Sequence, residues 1–185
     1  MYPVSRDELK TVFNVIKDSP CIGLDTETTG LKESSTPFML IIAVMDTEFV
    51  FNLNDTYDLS PKYVLKKEDL LPLKEILADE AKICFIQNAK FDMRMIKHLD
   101  LEVANPICTK ATERLLYNNF HDSYYSLDAM SKRYFPDTPK DDRVKKYISK
   151  NKCYTLVDIP GKAKREKEMH FEQVPWDVIG PYAAL

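Results

Sequence analysis

Residues 21–31 read CIGLDTETTGL. An apolar run ends in two acids, Asp25 and Glu27, with Thr26 between them and Thr28, Thr29 and Gly30 after. In an extended chain residues i and i+2 point to the same face, so a D-x-E pair at a strand end aims two carboxylates at one point. Their repulsion must be offset, and a divalent cation offsets it most directly. An all-oxygen donor set suits Mg²⁺ or Mn²⁺ rather than zinc. Taken alone, the pair reads more simply as two solvated acids at the start of a loop.

A second segment, QNAKFD at 87–92, follows the apolar KICFI and opens a helix. Asn88 is expected at the N-cap, which places Asp92 in the first turn, facing back along the strand's end. Alone, Asp92 is an acid complementing a helix dipole. With Asp25 and Glu27 it makes three acids able to meet on the carboxyl edge of one sheet, where α/β folds keep their sites.

Working outward, strands are expected at CIGLD, PFMLIIAV and EFVFNL, the last two joined as a hairpin around Asp46-Thr47, and again at KICFIQN. A first helix is signalled by capping-box spacing at Ser5-Arg6-Asp7-Glu8 and by the stripe Leu9, Val12, Phe13, Ile16. Further helices are expected over EDLLPLKEILAD, KFDMRMIKHLD, TKATERLLYN, SLDAMSKRYF, DDRVKKYISKN and WDVIGPYAAL, the last interrupted by Gly180 and Pro181. GKAKREKE reads as a basic loop. The order implies one α/β domain over 1–185, a mixed central sheet with helices on its faces.

Composition sets bounds. The chain has 185 residues, 44% hydrophobic and 30% charged, as ordinary globular proteins do. With 26 basic and 29 acidic residues the net charge is −3, so this is not a dedicated phosphate-neutralising domain. An acidic site still faces nucleic acid when metal ions sit between them. Cys21, Cys84, Cys108 and Cys153 form no C-x-x-C pair and are read as buried free thiols of a reducing cytosol. The longest apolar run, FMLIIAVM, is too short to span a bilayer, and MYPVSRDELK lacks signal-peptide architecture, so a cytoplasmic location (bacterial, or of a phage-infected host) with no membrane partner is expected.

LDTETTGL and QNAKFD resemble the first two motifs of the 3′–5′ exonuclease superfamily whose sites hold one Glu and three Asp. The resemblance is closest to the proofreading domain of phage-type family A DNA polymerases. Their third motif reads Y-x-x-x-D, commonly Y-A-A-x-D, and this sequence ends P-Y-A-A-L. Tyr182 is present and the fourth acid would be the next residue. The likeness implies a ribonuclease H-like three-layer fold, two Mg²⁺ (or Mn²⁺) ions, a single-stranded DNA 3′ end as partner, and a polymerase module beyond the C-terminus. Asp25, Glu27 and Asp92 would be catalytic metal ligands, and Tyr182 would orient the attacking water. Thr28, Leu31, Asn88 and Phe91 would line the pocket for the terminal nucleotide, Leu31 wedging against the last base. Lacking the fourth acid, the chain as given is expected to be a weak nuclease.

The basic loop would run near the strand, offering Lys162, Lys164, Arg165 and Lys167 to phosphates, or it is solvated surface. Tyr117, Phe120, Tyr124 and Tyr125 could stack on bases, though packing is the simpler role for most. His98, His121 and His170 are read as surface or satisfied histidines. Two rival functions stand beside proofreading: a ribonuclease D-like exonuclease acting on RNA 3′ ends, and a non-catalytic nucleic-acid-binding module of a polymerase.

Overall fold

A computed structural model describes residues 2–32, 34–118, 122–137, 142–158 and 165–183. The first half of the chain forms β1 (Tyr2–Pro3), α1 (Leu9–Asp18), β2 (Cys21–Thr28), β3 (Pro37–Val44) and β4 (Thr47–Asn52). Then come α2 (Leu73–Leu77), β5 (Ile83–Ile86), α3 (Lys90–Lys97), β6 (Pro106–Cys108), α4 (Thr109–Leu116) and α5 (Leu127–Tyr134). The chain continues through α6 (Arg143–Asn151), β7 (Tyr154–Val157), β8 (Glu166–Met169) and α7 (Trp176–Ala183). The mixed sheet with helices on both faces is as the sequence implies. Its six strands run β1-β4-β3-β2-β5-β6, with β7 and β8 forming a separate ribbon.

β3 is central and covered on both sides, which is why PFMLIIAV reads as an unbroken apolar run rather than an alternation. Residues opposite one another in an antiparallel pair share a face. Leu24 pairs with Ile42 and Thr26 with Leu40, and Leu24, Leu40 and Ile42 belong to the core packed with Phe13, Ile16, Leu73 and Ile96 of α1, α2 and α3. Asp25 pairs with Ile41 and Glu27 with Met39, whose side chains join a second core with Val144 and Ile148 of α6 and Ile179 of α7. The strand acids and α3 therefore start on opposite faces of the sheet.

Between Glu27 and Thr28 the register slips: Met39 opposes Glu27, Pro37 opposes Thr28, and Phe38 is the extra residue of a bulge. The bulge brings Phe38 into the same core as Met39, edge-on to Tyr57, whose ring also meets that of Trp176. α7 runs through Gly180 and Pro181 rather than breaking there. A Cβ at Gly180 would lie 2.9 Å from the Trp176 ring, so the glycine leaves the space the indole fills.

Other expectations are corrected. EDLLPLKEILAD is not one helix: a 3₁₀ turn at Lys67–Leu70 precedes the short α2, because Pro72 at its N-cap cannot continue a hydrogen-bonded turn. β6 and β7, of three and four residues, are too short to stand out in sequence, and β8, mostly charged, occupies part of the expected loop GKAKREKE. Cys21 is exposed; only Cys84 is buried among the four free thiols. Phe120, His121, Lys162 and Lys164 lie outside the described residues. Among the described residues no helix is long and apolar enough to cross a membrane.

Lys82, only 4% exposed, fixes α1 against the start of β5. Its Nζ donates to the carbonyls of Ile16 at 2.8 Å, Lys17 at 3.1 Å and also Ser19, groups that a helix end leaves without partners. Lys82→Met keeps the apolar stem and removes the donors. It is expected to lower unfolding free energy by about 2 kcal/mol in denaturant titrations at unchanged m-value.

Candidate active site

The site begins with unequal strand lengths. β5 pairs in parallel with β2 only as far as Ile86 opposite Leu24, while β2 runs on to Thr28. Beyond Leu24 the β5 side of β2 is open, and its backbone donors need partners there. The first turn of α3 supplies one. Asp92 Oδ1 accepts from the Thr26 amide at 3.1 Å and from the Thr26 hydroxyl at 2.6 Å. Asp92 is 3% exposed, and the N-terminus of α3 favours a negative charge at this place. Asp92 thus stands at the end of the sheet, near enough for its charge to act on Asp25 and Glu27.

The three carboxyls feel one another. Burial first, then repulsion from Asp92, raises the Asp25 carboxyl to about 7, although solvent reaches this residue from the open side. Burial, then Asp25 and Asp92, raises half-buried Glu27 to about 8. Asp92 is also raised, by burial, against the lowering effect of its Thr26 bonds.

Glu27 opens into a cleft of about 520 Å³. Thr28, Leu31, Phe91 and Tyr182 line it. Thr28 is buried and its hydroxyl donates to the Gly30 carbonyl at 2.7 Å; Leu31 is 82% exposed at the rim. Phe91 stacks near the Arg94 guanidinium, 5.5 Å from the ring centre. Asn88 departs from expectation. The N-cap is Ala89, and Asn88 is exposed, not among the cleft-lining residues, with φ 57° in the left-handed region that asparagine tolerates. Arg165 is not cleft-lining either; its guanidinium pairs with exposed Asp158 at 2.9 Å.

Sequence reasoning missed most of the far wall: Lys145 from α6, Glu166, Glu168 and Met169 from β8, and Phe171 after it; Lys167 of β8, which the sequence offers to phosphates, lines the cleft too. Only the amphipathic spacing of Val144 and Ile148 hinted at how α6 docks. The Tyr124 and Tyr125 rings pack edge-on to each other, and Arg133 lies 3.9 Å from the Tyr124 ring centre. These aromatics belong to the packing around α5. A separate hollow of about 590 Å³ between α1 and α2 contains none of the three acids.

The donor chemistry fits a hard divalent cation: oxygen ligands only, and two carboxyls whose repulsion a cation would relieve. The geometry is not closed around one. Among the described residues no group of three or more His, Cys, Asp or Glu side chains is gathered to hold a metal ion, and Asp92 commits Oδ1 to Thr26.

Comparison with known proteins places this geometry in context. The chain matches the family model described as 3′–5′ exonuclease over residues 3–184. DNA polymerase I of Pseudomonas aeruginosa is 27% identical over 171 residues, covering 91% of this chain, which spans 17% of that protein's length. Among solved structures, Trypanosoma brucei RNase D superposes with TM-score 0.68 at 12% identity, covering 97% of this chain and 58% of that one. Escherichia coli RNase D, described as an exoribonuclease involved in structured RNA processing, gives 0.58 at 17% identity, covering 76% and 34%. The structural likenesses establish a ribonuclease H-like fold.

The raised acids give a pH signature. With folded-state values of about 7 and 8 against an ordinary carboxylate near 4, the folded state binds protons more tightly in between. Their contribution to stability is therefore greatest at acid pH and is lost as pH rises through those values. In EDTA the melting temperature should fall as pH is raised from about 5 to about 8. Glu27→Gln should flatten that profile and add about 1 kcal/mol at the alkaline end. An unchanged slope in this variant would show that Glu27 carries no such tension.

Proposed function

The chain belongs to the 3′–5′ exonuclease family, and from that premise we propose that it removes nucleotides from single-stranded or frayed 3′ ends of DNA, as the proofreading domain of a DNA polymerase. The observation that carries the reading is the arrangement at the open end of β2: Asp25 and Glu27 on one face, and Asp92, locked to Thr26, close enough to repel both, beside a cleft with aromatic lining. The likeness to DNA polymerase I across most of the chain, at higher identity than either RNase D, favours DNA.

Asp25, Glu27 and Asp92 would hold divalent cations, which when bound supply hydroxide near neutral pH and neutralise charge on the phosphate. The chain's own groups do the rest. Leu31, exposed at the rim, would wedge against the terminal base, and the Phe91 and Phe171 rings offer faces along the nucleotide. Buried Thr28 shapes the rim by fixing the Gly30 carbonyl. Tyr182 would direct its hydroxyl at the attacking water, and the C-terminal side of α7 would bring the fourth acid of the family motif if the parent chain continues. The polymerase module belongs to the same proposal.

A second reading rests on the fold's likeness to RNase D: processing of RNA 3′ ends. Matched DNA and RNA single strands decide between them. In Mg²⁺, with the sequence extended through the fourth acid, release of mononucleotides from DNA 3′ ends is expected. Asp25→Ala or Asp92→Ala should lower it about 100-fold or more, the scale for losing one charge-stabilising group. Strong preference for RNA would favour the second reading. Binding without release, with all acids present, would make the domain a non-catalytic module.

A further inference from the structure

The cleft beside Glu27 carries three lysines, and they are not equivalent. Lys32 Nζ is held by Glu168, 2.8 and 2.9 Å from its two carboxylate oxygens. Lys167 Nζ sits over the Tyr154 ring, 4.1 Å from its centre. Lys145 makes no hydrogen bond or ion pair with any described residue. Its place is nevertheless fixed by the backbone. The flanking Val144 is 0% exposed and Ile148 2%, so α6 is locked onto the core shared with α7, and the residue after Val144 is presented to the cleft beside Tyr182.

The charge around it makes an idle ammonium informative. Glu27, Glu166 and Glu168 line the same cleft, yet Lys145 pairs with none of them. An anionic strand brought toward Asp25, Glu27 and Asp92 meets repulsion that cations at those acids offset only locally. A phosphodiester farther along the strand needs its own counter-charge. A long, flexible stem ending in a point charge suits a backbone phosphate that presents no fixed orientation.

We infer that Lys145 is a phosphate-contacting residue of the cleft, and that α6 is a substrate-binding element rather than only a buttress for α7. This rests on the single-strand reading of the cleft proposed above. Arg165, by contrast, pairs with Asp158 and does not line the cleft.

The test is the binding of a fluorescein-labelled oligothymidylate followed by anisotropy, with calcium in place of magnesium and salt varied. Lys145→Ala should weaken binding about fivefold, the scale of one solvent-accessible ion pair. It should also lower the slope of log K against log salt by about 0.7, the loss of one single-strand phosphate contact. Lys145→Arg should keep both, and so should Lys146→Ala, whose residue is exposed and not among the cleft-lining set. Wild-type affinity and slope in Lys145→Ala would overturn the inference while leaving the proposed function intact. Failure of Lys145→Arg to restore binding would overturn it too, by showing that the stem rather than the charge matters. If the wild-type domain binds no oligothymidylate, the single-strand reading of the cleft falls, and this inference with it.

Discussion

The two hydrogen bonds from Thr26 to Asp92 hold the site together. They exist because β5 stops at Ile86 while β2 continues, which leaves backbone donors at a strand end that the sheet cannot satisfy. A carboxylate from the next helix takes the place of the absent strand. One interaction therefore does two jobs: it completes the sheet's hydrogen bonding, and it transfers an acid from one face of the sheet to the edge where two others emerge. An apolar residue at position 92 would leave the strand end unsatisfied as well as removing the charge.

The same arrangement explains why the acids are under tension. Each face of the sheet has its own apolar core, and the carboxyls sit where the two cores meet the strand end, crowded by protein and by one another. The hydrogen bonds from Thr26 offset that repulsion only in part, and both strand acids stay raised. Such local disagreement with stability is the expected mark of a site shaped for something other than folding.

How much of this was legible in the sequence follows from what each signal measures. PFMLIIAV and the stripe of α1 report burial, which is periodic and local, so these core elements emerge from the residues alone. D-x-E reports a shared face through strand geometry, and the placement of Glu27 on the cleft follows from it. Asn88 misled because cap preference and tolerance of positive φ are properties of the same side chain, and here the second prevailed. β6 and the β7–β8 ribbon were hidden because strands of three or four residues are too short to show a period and form only once a partner is in place. Lys145 and Phe171 were unreadable for a related reason. Their meeting with Glu27 is a product of long-range packing between α6, α7 and the sheet, which no short window contains.

The bulge at Phe38 carries a consequence of its own. A ladder without it would be more regular, and deleting one residue from β3 would produce that ladder. Phe38 would then no longer leave the strand's alternation to meet Tyr57, and the Tyr57–Trp176 contact would lose its third ring. α7, which carries Tyr182, leans on that contact. A single-codon deletion that improved the sheet by every local measure would thus loosen the α7 wall of the cleft, so the miscount between two strands is itself a working part of the site.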